Sequence, residues 1–226
     1  MAEPYNTPIP GSTPRSGSPV SHPIHPLPLG HPNPHPHPHA NNASTTASKP
    51  RILHLGDPIR FNKTTHDLLS LNYDIIRPPT PERQRRAFTQ ALQGRKWGDF
   101  EAIFRPSRHS GGEMDDWDDE LIGLLPPSVK VFANAGAGFD GVNTRLLGER
   151  GIVYCNGGPA CADSVADLAV ADQGRAMLTC HNGGDTVEAH AGFEELSMRN
   201  VMAVLEGEEP SSAVNLAYLK KKKKKD

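Results

Sequence analysis

The sequence has few cysteines and no long apolar run. Cys155, Cys161 and Cys180 are odd in number and lack C-x-x-C spacing, which predicts a reducing cytoplasmic location and no metal site. No run of 18 or more apolar residues occurs, so we expect no membrane-spanning helix. The N-terminus also lacks the uninterrupted apolar stretch of a signal peptide.

Positive charge is scarce in the central part of the chain. Residues 51–219 contain 16 basic and 24 acidic side chains, a net charge of −8. Because affinity for phosphate backbones comes from clustered Lys and Arg, this balance argues against a nucleic-acid-binding body. The segment 220–226 is six lysines and an aspartate, a composition that attracts nucleic acids or anionic membranes non-specifically. Since no aromatic residue is interleaved in it, we interpret it as a solvated tail.

The first 50 residues cannot form a core. They hold 13 of the 22 prolines and six of the 11 histidines, and their few apolar residues show no periodicity. We therefore predict that 1–50 is a disordered tail that favours polyproline II in water. The alternating His-Pro stretch also offers weak Zn²⁺ or Ni²⁺ ligands, but the tail interpretation is favoured over an evolved metal site.

From Arg51 onward, short apolar runs alternate with helical patterns. We predict strands near 52–56, 73–76, 100–104, 129–133 and 152–155, with helices at 64–71, 81–92, 117–125 and 143–149 and a further helix from Asp163 to Ala171. This alternation predicts a parallel α/β sheet. A strand-like run at 176–180 follows, and Asp185 to Glu188 resembles a capping box that begins a helix over 186–206.

Five acidic residues lie at the start of the helix predicted at 117–125: Asp115, Asp116, Asp118, Asp119 and Glu120. They allow either a cation site or a favourable helix start with a solvated face. We favour the helix start.

A glycine motif follows the fourth predicted strand. Gly136-Ala-Gly138-Phe-Asp-Gly141 matches the G-x-G-x-x-G pattern of dinucleotide-binding turns. The acidic residue expected about 20 positions later is absent, because position 156 is Asn156. We reject a dinucleotide site here and expect the exposed N–H groups to suit a small carboxylate.

Three separated segments resemble the D-isomer-specific 2-hydroxyacid dehydrogenases, most closely the fungal glyoxylate/hydroxypyruvate-reductase-like members. They are Lys130 to Asp140 with Gly148 to Asn156, then Ser164-Val-Ala-Asp167, and then Leu178 to Thr186. The resemblance implies a flavodoxin-like catalytic domain, an NAD or NADP cofactor and a small 2-oxo or 2-hydroxy acid substrate. It also implies roles for individual residues: substrate-carboxylate binding by Gly136, Ala137 and Gly138, a position near the nicotinamide for Ser164, and proton donation by His181.

The family places a whole Rossmann domain between the segments that correspond here to 163–171 and 176–181. In this chain about four residues, Asp172 to Arg175, join them, so a block of the order of 100–150 residues is missing. We expect a substrate domain at 51–171, a return segment at 172–219 and a monomer. Three alternatives remain open: an impaired family member, a non-catalytic carboxylate- or protein-binding remnant, and a splice or gene-model truncation.

Overall fold

The computed structural model describes residues 48–106, 114–171 and 183–219. Within them a five-stranded sheet is flanked by helices on both faces. The strands are β1 (Arg51–His54), β2 (Asp74–Ile76), β3 (Ala102–Arg105), β4 (Val131–Asn134) and β5 (Val153–Cys155). The α-helices are α1 (Lys63–Asn72), α2 (Arg85–Gln93), α3 (Asp119–Gly123), α4 (Thr144–Glu149), α5 (Gly158–Ala171) and α6 (Val187–Glu206). Short 3₁₀ turns lie at Thr80–Arg83 and Leu216–Tyr218.

The sheet has the order β2-β1-β3-β4-β5, and every neighbouring pair is parallel. This is the flavodoxin-like order of doubly wound α/β proteins. The predicted fold class is therefore confirmed. In the described part of the chain, no helix combines the length and apolar character needed to cross a membrane.

Both faces of the sheet are buried, because successive strand residues point to opposite sides. Leu53, Ile103 and Phe132 pack with α2 and α3 side chains on one face. Ile52, Phe104, Val131 and Ala133 lie on the other face, against Met198 and Val201 of α6. The strands thus read as continuous apolar runs, as expected for a parallel sheet covered on both sides.

Helix α6 packs back on the sheet, as the apolar face of 186–206 predicted. Its N-cap is Thr186, whose hydroxyl accepts a hydrogen bond from Ala189 N over 3.1 Å. At its C-terminus, Gly207 adopts a left-handed conformation with φ 85°, which glycine adopts without steric cost. The predicted capping start at Asp185 is one residue early.

Helix α5 begins at Gly158, five residues before the predicted start at Asp163. Pro159 explains the difference, since proline is well suited to the first turn of a helix, where its missing N–H has no intrahelical partner. Helices α5 and α6 pack closely: a Cβ on Gly192 would lie 3.0 Å from Ala160 Cβ. The helices that precede and follow residues 172–182 therefore lie side by side.

The acidic run acts as a helix start. The Asp118 carboxylate accepts a hydrogen bond from Leu121 N over 3.0 Å, and it pairs with Arg85, which also pairs with Glu120. The Leu121 bond, together with the nearby Arg85 guanidinium, lowers the pKa of Asp118. Asp118 therefore serves α3 as the favoured interpretation predicted.

Candidate functional site

A cleft of about 1090 Å³ lies at the carboxyl edge of the sheet. Its floor comes from the ends of β3 and β4, and one wall comes from Cys161, Val165 and Leu168 of α5. Val165 contributes an exposed apolar side chain, 46% accessible, to this wall. Ligands of open α/β sheets bind beyond the carboxyl ends of the strands, which makes this cleft the candidate site.

The predicted carboxylate-binding loop lines this cleft. Gly136, Ala137 and Gly138 follow β4 directly. The carbonyl oxygen of Gly136 accepts a hydrogen bond from Gly157 N over 2.9 Å, and that of Ala137 accepts one from Asn156 Nδ2 over 2.7 Å. No acceptor in the described residues pairs with the three N–H groups of the loop. The loop thus has bonded carbonyls and available donors, the arrangement that anions select.

A hydrogen-bond network from α6 fixes the residue that holds this loop. Asn200 donates to Ser212 Oγ over 2.8 Å, and Ser212 Oγ donates to the Asn156 carbonyl over 2.7 Å. Asn200 and Ser212 are both buried. Sequence analysis noted Asn156 only because an acidic residue was expected at that position. In the structure it is a positioning residue for the loop.

Gly157 lies beneath the loop with no space for a side chain. A Cβ there would fall 1.7 Å from the Ala135 carbonyl oxygen and 2.9 Å from Phe193 Cδ1. By contrast, a Cβ on Gly136 or Gly138 would meet no atom closer than 3.5 Å. Protein packing therefore requires the glycine at 157, while the loop glycines keep space open on the cleft side.

Charged side chains line the cleft unevenly. Arg105, the last residue of β3, is the one basic residue among the described lining residues, and Asp115, Asp116 and Asp140 are acidic. Arg105 is in register with Asn134 of β4, so the two cleft-lining residues lie side by side. Sequence analysis missed Arg105, because only the pairing of β3 with β4 brings it beside the glycine loop.

Two titratable groups at the end of β5 are kept neutral by burial. Desolvation raises the pKa of Tyr154 to about 12, against smaller opposing effects of Asn134 and Arg105. Desolvation also raises the pKa of Cys155 to about 12. Neither group is ionised at neutral pH, and a buried protonated thiol is not a nucleophile.

The two other predicted site residues are Ser164 and His181. Ser164 is not among the residues that line the cleft; its hydroxyl is 2.9 Å from the Thr186 hydroxyl, where it links α5 to the start of α6. His181 and Cys180 lie outside the described residues. Gly183 and Gly184 line the cleft, so the described chain meets the cleft again two residues after His181.

The glycine motif at 136–141 does not fit a dinucleotide-binding turn. After the glycine motif, α4 begins only at Thr144, and Asn143 already caps it by accepting a hydrogen bond from Leu146 N over 3.0 Å. Asn156, at the position where an acidic residue would bind the ribose, donates its amide to the loop instead. The motif therefore lacks both the uncapped helix N-terminus and the acidic ribose ligand of a dinucleotide-binding turn.

Comparisons with known proteins agree with one family. A sequence profile described as "D-isomer specific 2-hydroxyacid dehydrogenase, catalytic domain" matches residues 95–215. The apo form of D-mandelate dehydrogenase from Rhodotorula graminis is similar, with TM-score 0.52 and 37% identity over 56% of this chain and 36% of that chain. A glyoxylate reductase from Paecilomyes thermophila gives TM-score 0.50 and 28% identity over 56% of this chain and 38% of that chain.

The chain therefore matches little more than a third of the length of these solved relatives. A comparison with curated proteins gave no significant match.

Proposed function

Since the chain belongs to the D-isomer specific 2-hydroxyacid dehydrogenase family, we propose that its cleft binds a small 2-oxo or 2-hydroxy acid. The similar solved structures include a mandelate dehydrogenase and a glyoxylate reductase, whose names refer to acids of this kind. The proposed contact is between the ligand carboxylate and the backbone N–H groups of Gly136, Ala137 and Gly138.

The observation that carries this proposal is the hydrogen bonding of the loop. Its carbonyls at Gly136 and Ala137 are bonded to Gly157 and Asn156, and its N–H groups have no acceptor in the described residues. Successive backbone N–H groups of this kind favour a carboxylate or another small anion. Arg105 adds a positive charge at the adjacent strand end, and we assign it the second contact to the carboxylate.

We further propose that the chain does not reduce such an acid unaided. Reduction of a 2-oxo acid needs a hydride donor at the carbonyl carbon, a cation for the developing oxyanion and a proton donor. The family's hydride donor is NAD(P)H, and the glycine motif at 136–141 with Asn156 does not fit a dinucleotide-binding turn. The chain would then keep the acid-binding half of the site, with His181 as the family's proton donor.

Binding of glycolate tests the first proposal, with ethylene glycol as the matched ligand that lacks the carboxylate. Amide NMR signals of Gly136, Ala137 and Gly138 should shift saturably with glycolate and stay unchanged with ethylene glycol. Arg105→Gln should weaken glycolate binding about tenfold, the effect of one charge-assisted contact. Arg86→Gln, an exposed arginine of α2, is the matched control. Equal shifts with both ligands would refute carboxylate recognition.

Turnover tests the second proposal. With glyoxylate or hydroxypyruvate, the unmodified chain should oxidise neither NADH nor NADPH above the uncatalysed rate. Measurable turnover would show that the cofactor binds in some other way.

A further inference from the structure

The cleft at the carboxyl edge of the sheet has an apolar wall that the proposed carboxylate contact does not use. Cys161, Val165 and Leu168 line it from one face of α5, at spacings of four and three residues. Val165 is exposed and Leu168 is half-buried. Because exposed apolar side chains inside a cleft mark surfaces that a ligand covers, this wall predicts a ligand with an apolar part.

Two glycines after the return of the chain restrain this wall. A Cβ on Gly183 would lie 3.1 Å from Leu168 Cδ2 and 3.5 Å from Val165 Cγ2. A Cβ on Gly184 would lie 2.9 Å from Cys161 Cβ. The backbone at 183–184 therefore lies directly against the α5 side chains. A restrained apolar wall loses less conformational entropy on binding a ligand than a mobile one.

Phe139 adds apolar surface next to the glycine loop. It follows Gly138 directly, lines the cleft and is 40% exposed. Its ring lies at a steep angle to that of Tyr154, with centroids 6.4 Å apart. Apolar surface thus begins one residue after the proposed carboxylate contact.

Acidic side chains approach the same loop. Asp140 lies close to it, since a Cβ on Gly138 would be 3.7 Å from Asp140 Oδ2. Asp116 lies close to Gly141, where a Cβ would be 2.7 Å from Asp116 Oδ1. The segment that carries Asp116 is fixed there, because Trp117 N donates to the Gly141 carbonyl over 2.8 Å.

These two kinds of surface both disfavour a second negative charge on the ligand. Next to Asp140 and Asp116 a second carboxylate would be repelled. Against Val165 and Leu168 it would lose its hydration without gaining a hydrogen-bond donor. A neutral apolar substituent avoids the repulsion and removes apolar surface of α5 from water. Selection of this kind combines an attractive contact with a repulsive one.

We propose that the cleft selects a monocarboxylic 2-oxo or 2-hydroxy acid that carries a bulky apolar substituent at C2. This inference rests on the proposed binding of the ligand carboxylate at the glycine loop. The substituent packs on Val165 and Leu168, which are then specificity-determining residues. Asp140 excludes acids with a second carboxylate.

Binding of three acids to the full chain tests this selection. Glycolate has no substituent at C2, D-2-hydroxy-4-methylpentanoate adds a branched apolar group, and D-malate adds a second carboxylate. The titrations are run at about 0.2 M ionic strength, which screens the attraction of anions to the six C-terminal lysines. The branched acid should bind at least about tenfold more tightly than glycolate, and malate at least about fivefold more weakly than glycolate. Methyl NMR signals of Val165 and Leu168 should shift saturably with the branched acid only.

Two variants with matched controls separate the apolar contact from the repulsion. Val165→Asn should lower the preference for the branched acid over glycolate about fivefold, because an amide replaces the apolar contact. Val187→Asn, in an exposed valine of α6 that does not line the cleft, is its control. Asp140→Asn should raise the affinity for malate relative to glycolate about fivefold. Asp163→Asn, in an exposed aspartate of α5 outside the cleft lining, is the second control. Val165 and Asp140 are exposed, so both variants should keep the fold.

The outcomes distinguish this inference from the proposed function. If none of the three acids shifts the amide signals of Gly136, Ala137 and Gly138, both the carboxylate contact and the selection are wrong. If glycolate binds at the loop and the branched acid binds no more tightly, the carboxylate contact stands and the selection is overturned. An unchanged preference in Val165→Asn, or malate binding as tight as that of the branched acid, would also overturn it.

Discussion

The side-chain amide of Asn156 donates to the Ala137 carbonyl oxygen over 2.7 Å, which joins the end of β5 to the glycine loop after β4. Asn156 is itself fixed by Ser212 and Asn200. The geometry of the proposed carboxylate contact thus depends on a residue of a neighbouring strand end and, through it, on α6.

Substitution of Asn156 should therefore weaken acid binding and have only a small effect on the free energy of unfolding. Asn156→Ala removes one hydrogen bond, about 1 kcal/mol of unfolding free energy. Asn156→Asp places a carboxylate oxygen against the Ala137 carbonyl and next to the proposed anion, so glycolate binding should fall further than in the alanine variant. Calorimetric dissociation constants provide the measurement. Asn72→Ala, an exposed asparagine that bonds only within α1, should leave binding unchanged.

Gly157 should tolerate no side chain. In Gly157→Ala the added Cβ would lie 1.7 Å from the Ala135 carbonyl oxygen, so the backbone under the loop must move. We expect a loss of more than about 3 kcal/mol in urea unfolding, the range of backbone strain combined with overpacking. Gly123→Ala in α3 is the matched control, because its Cβ meets nothing within 4 Å. Alanine there should be neutral or slightly stabilising, and equal effects at both sites would contradict this account.

Glu194 should be the most sensitive carboxylate of α6. It is buried and accepts backbone hydrogen bonds from Arg60, Phe61 and Asn62 at 2.7, 2.8 and 3.0 Å. Glu194→Gln replaces one acceptor oxygen with a donor that faces these N–H groups, and we expect a loss of roughly 2–4 kcal/mol. Glu149→Gln breaks only an exposed i,i+4 pair with Arg145, so it should cost less than about 0.5 kcal/mol. Thermal or urea unfolding at pH 7 measures both.

His54 should make the fold acid-sensitive. Burial lowers its pKa from the ordinary value of 6.5 to about 3 in the folded chain, so below pH 6.5 the unfolded chain binds a proton that the folded chain excludes. The contribution of neutral His54 to the free energy of unfolding is therefore complete above pH 6.5, and it is lost as the pH falls toward 3. Between pH 6.5 and 5 this amounts to roughly 2 kcal/mol. His54→Gln should lack this component, which urea unfolding would reveal as a flatter pH profile.

A rebuilt enzyme tests the assignment of His181. If the family's Rossmann segment is inserted between Ala171 and Asp172, reduction of glyoxylate or hydroxypyruvate should appear, because the cofactor-binding half is then supplied. His181→Ala in the rebuilt protein should lower the rate about 10²–10⁴-fold, the usual contribution of a positioned acid. His66→Ala, a half-buried histidine of α1, is the control. A rebuilt enzyme indifferent to His181 would show that another group donates the proton.

The sequence was sufficient to predict the features that leave a local pattern of apolar and polar residues. Alternating apolar runs and helical periodicity predicted five parallel strands and the helix over 186–206, because burial on both sheet faces and on one helix face leaves a direct trace in residue order. The glycine loop at 136–138 was likewise visible as a motif, and its place in the cleft follows from its position after a strand.

The sequence did not reveal contacts between residues of different strands and helices. Arg105 reaches the cleft because β3 and β4 are neighbours in register, and His54 meets Arg77 because β1 and β2 are. Asn156 acquires its role only when α6, 44 residues later in Asn200, closes the network behind it. Contacts between residues far apart in sequence have no period to detect, so only the tertiary structure determined which polar side chains share a cavity.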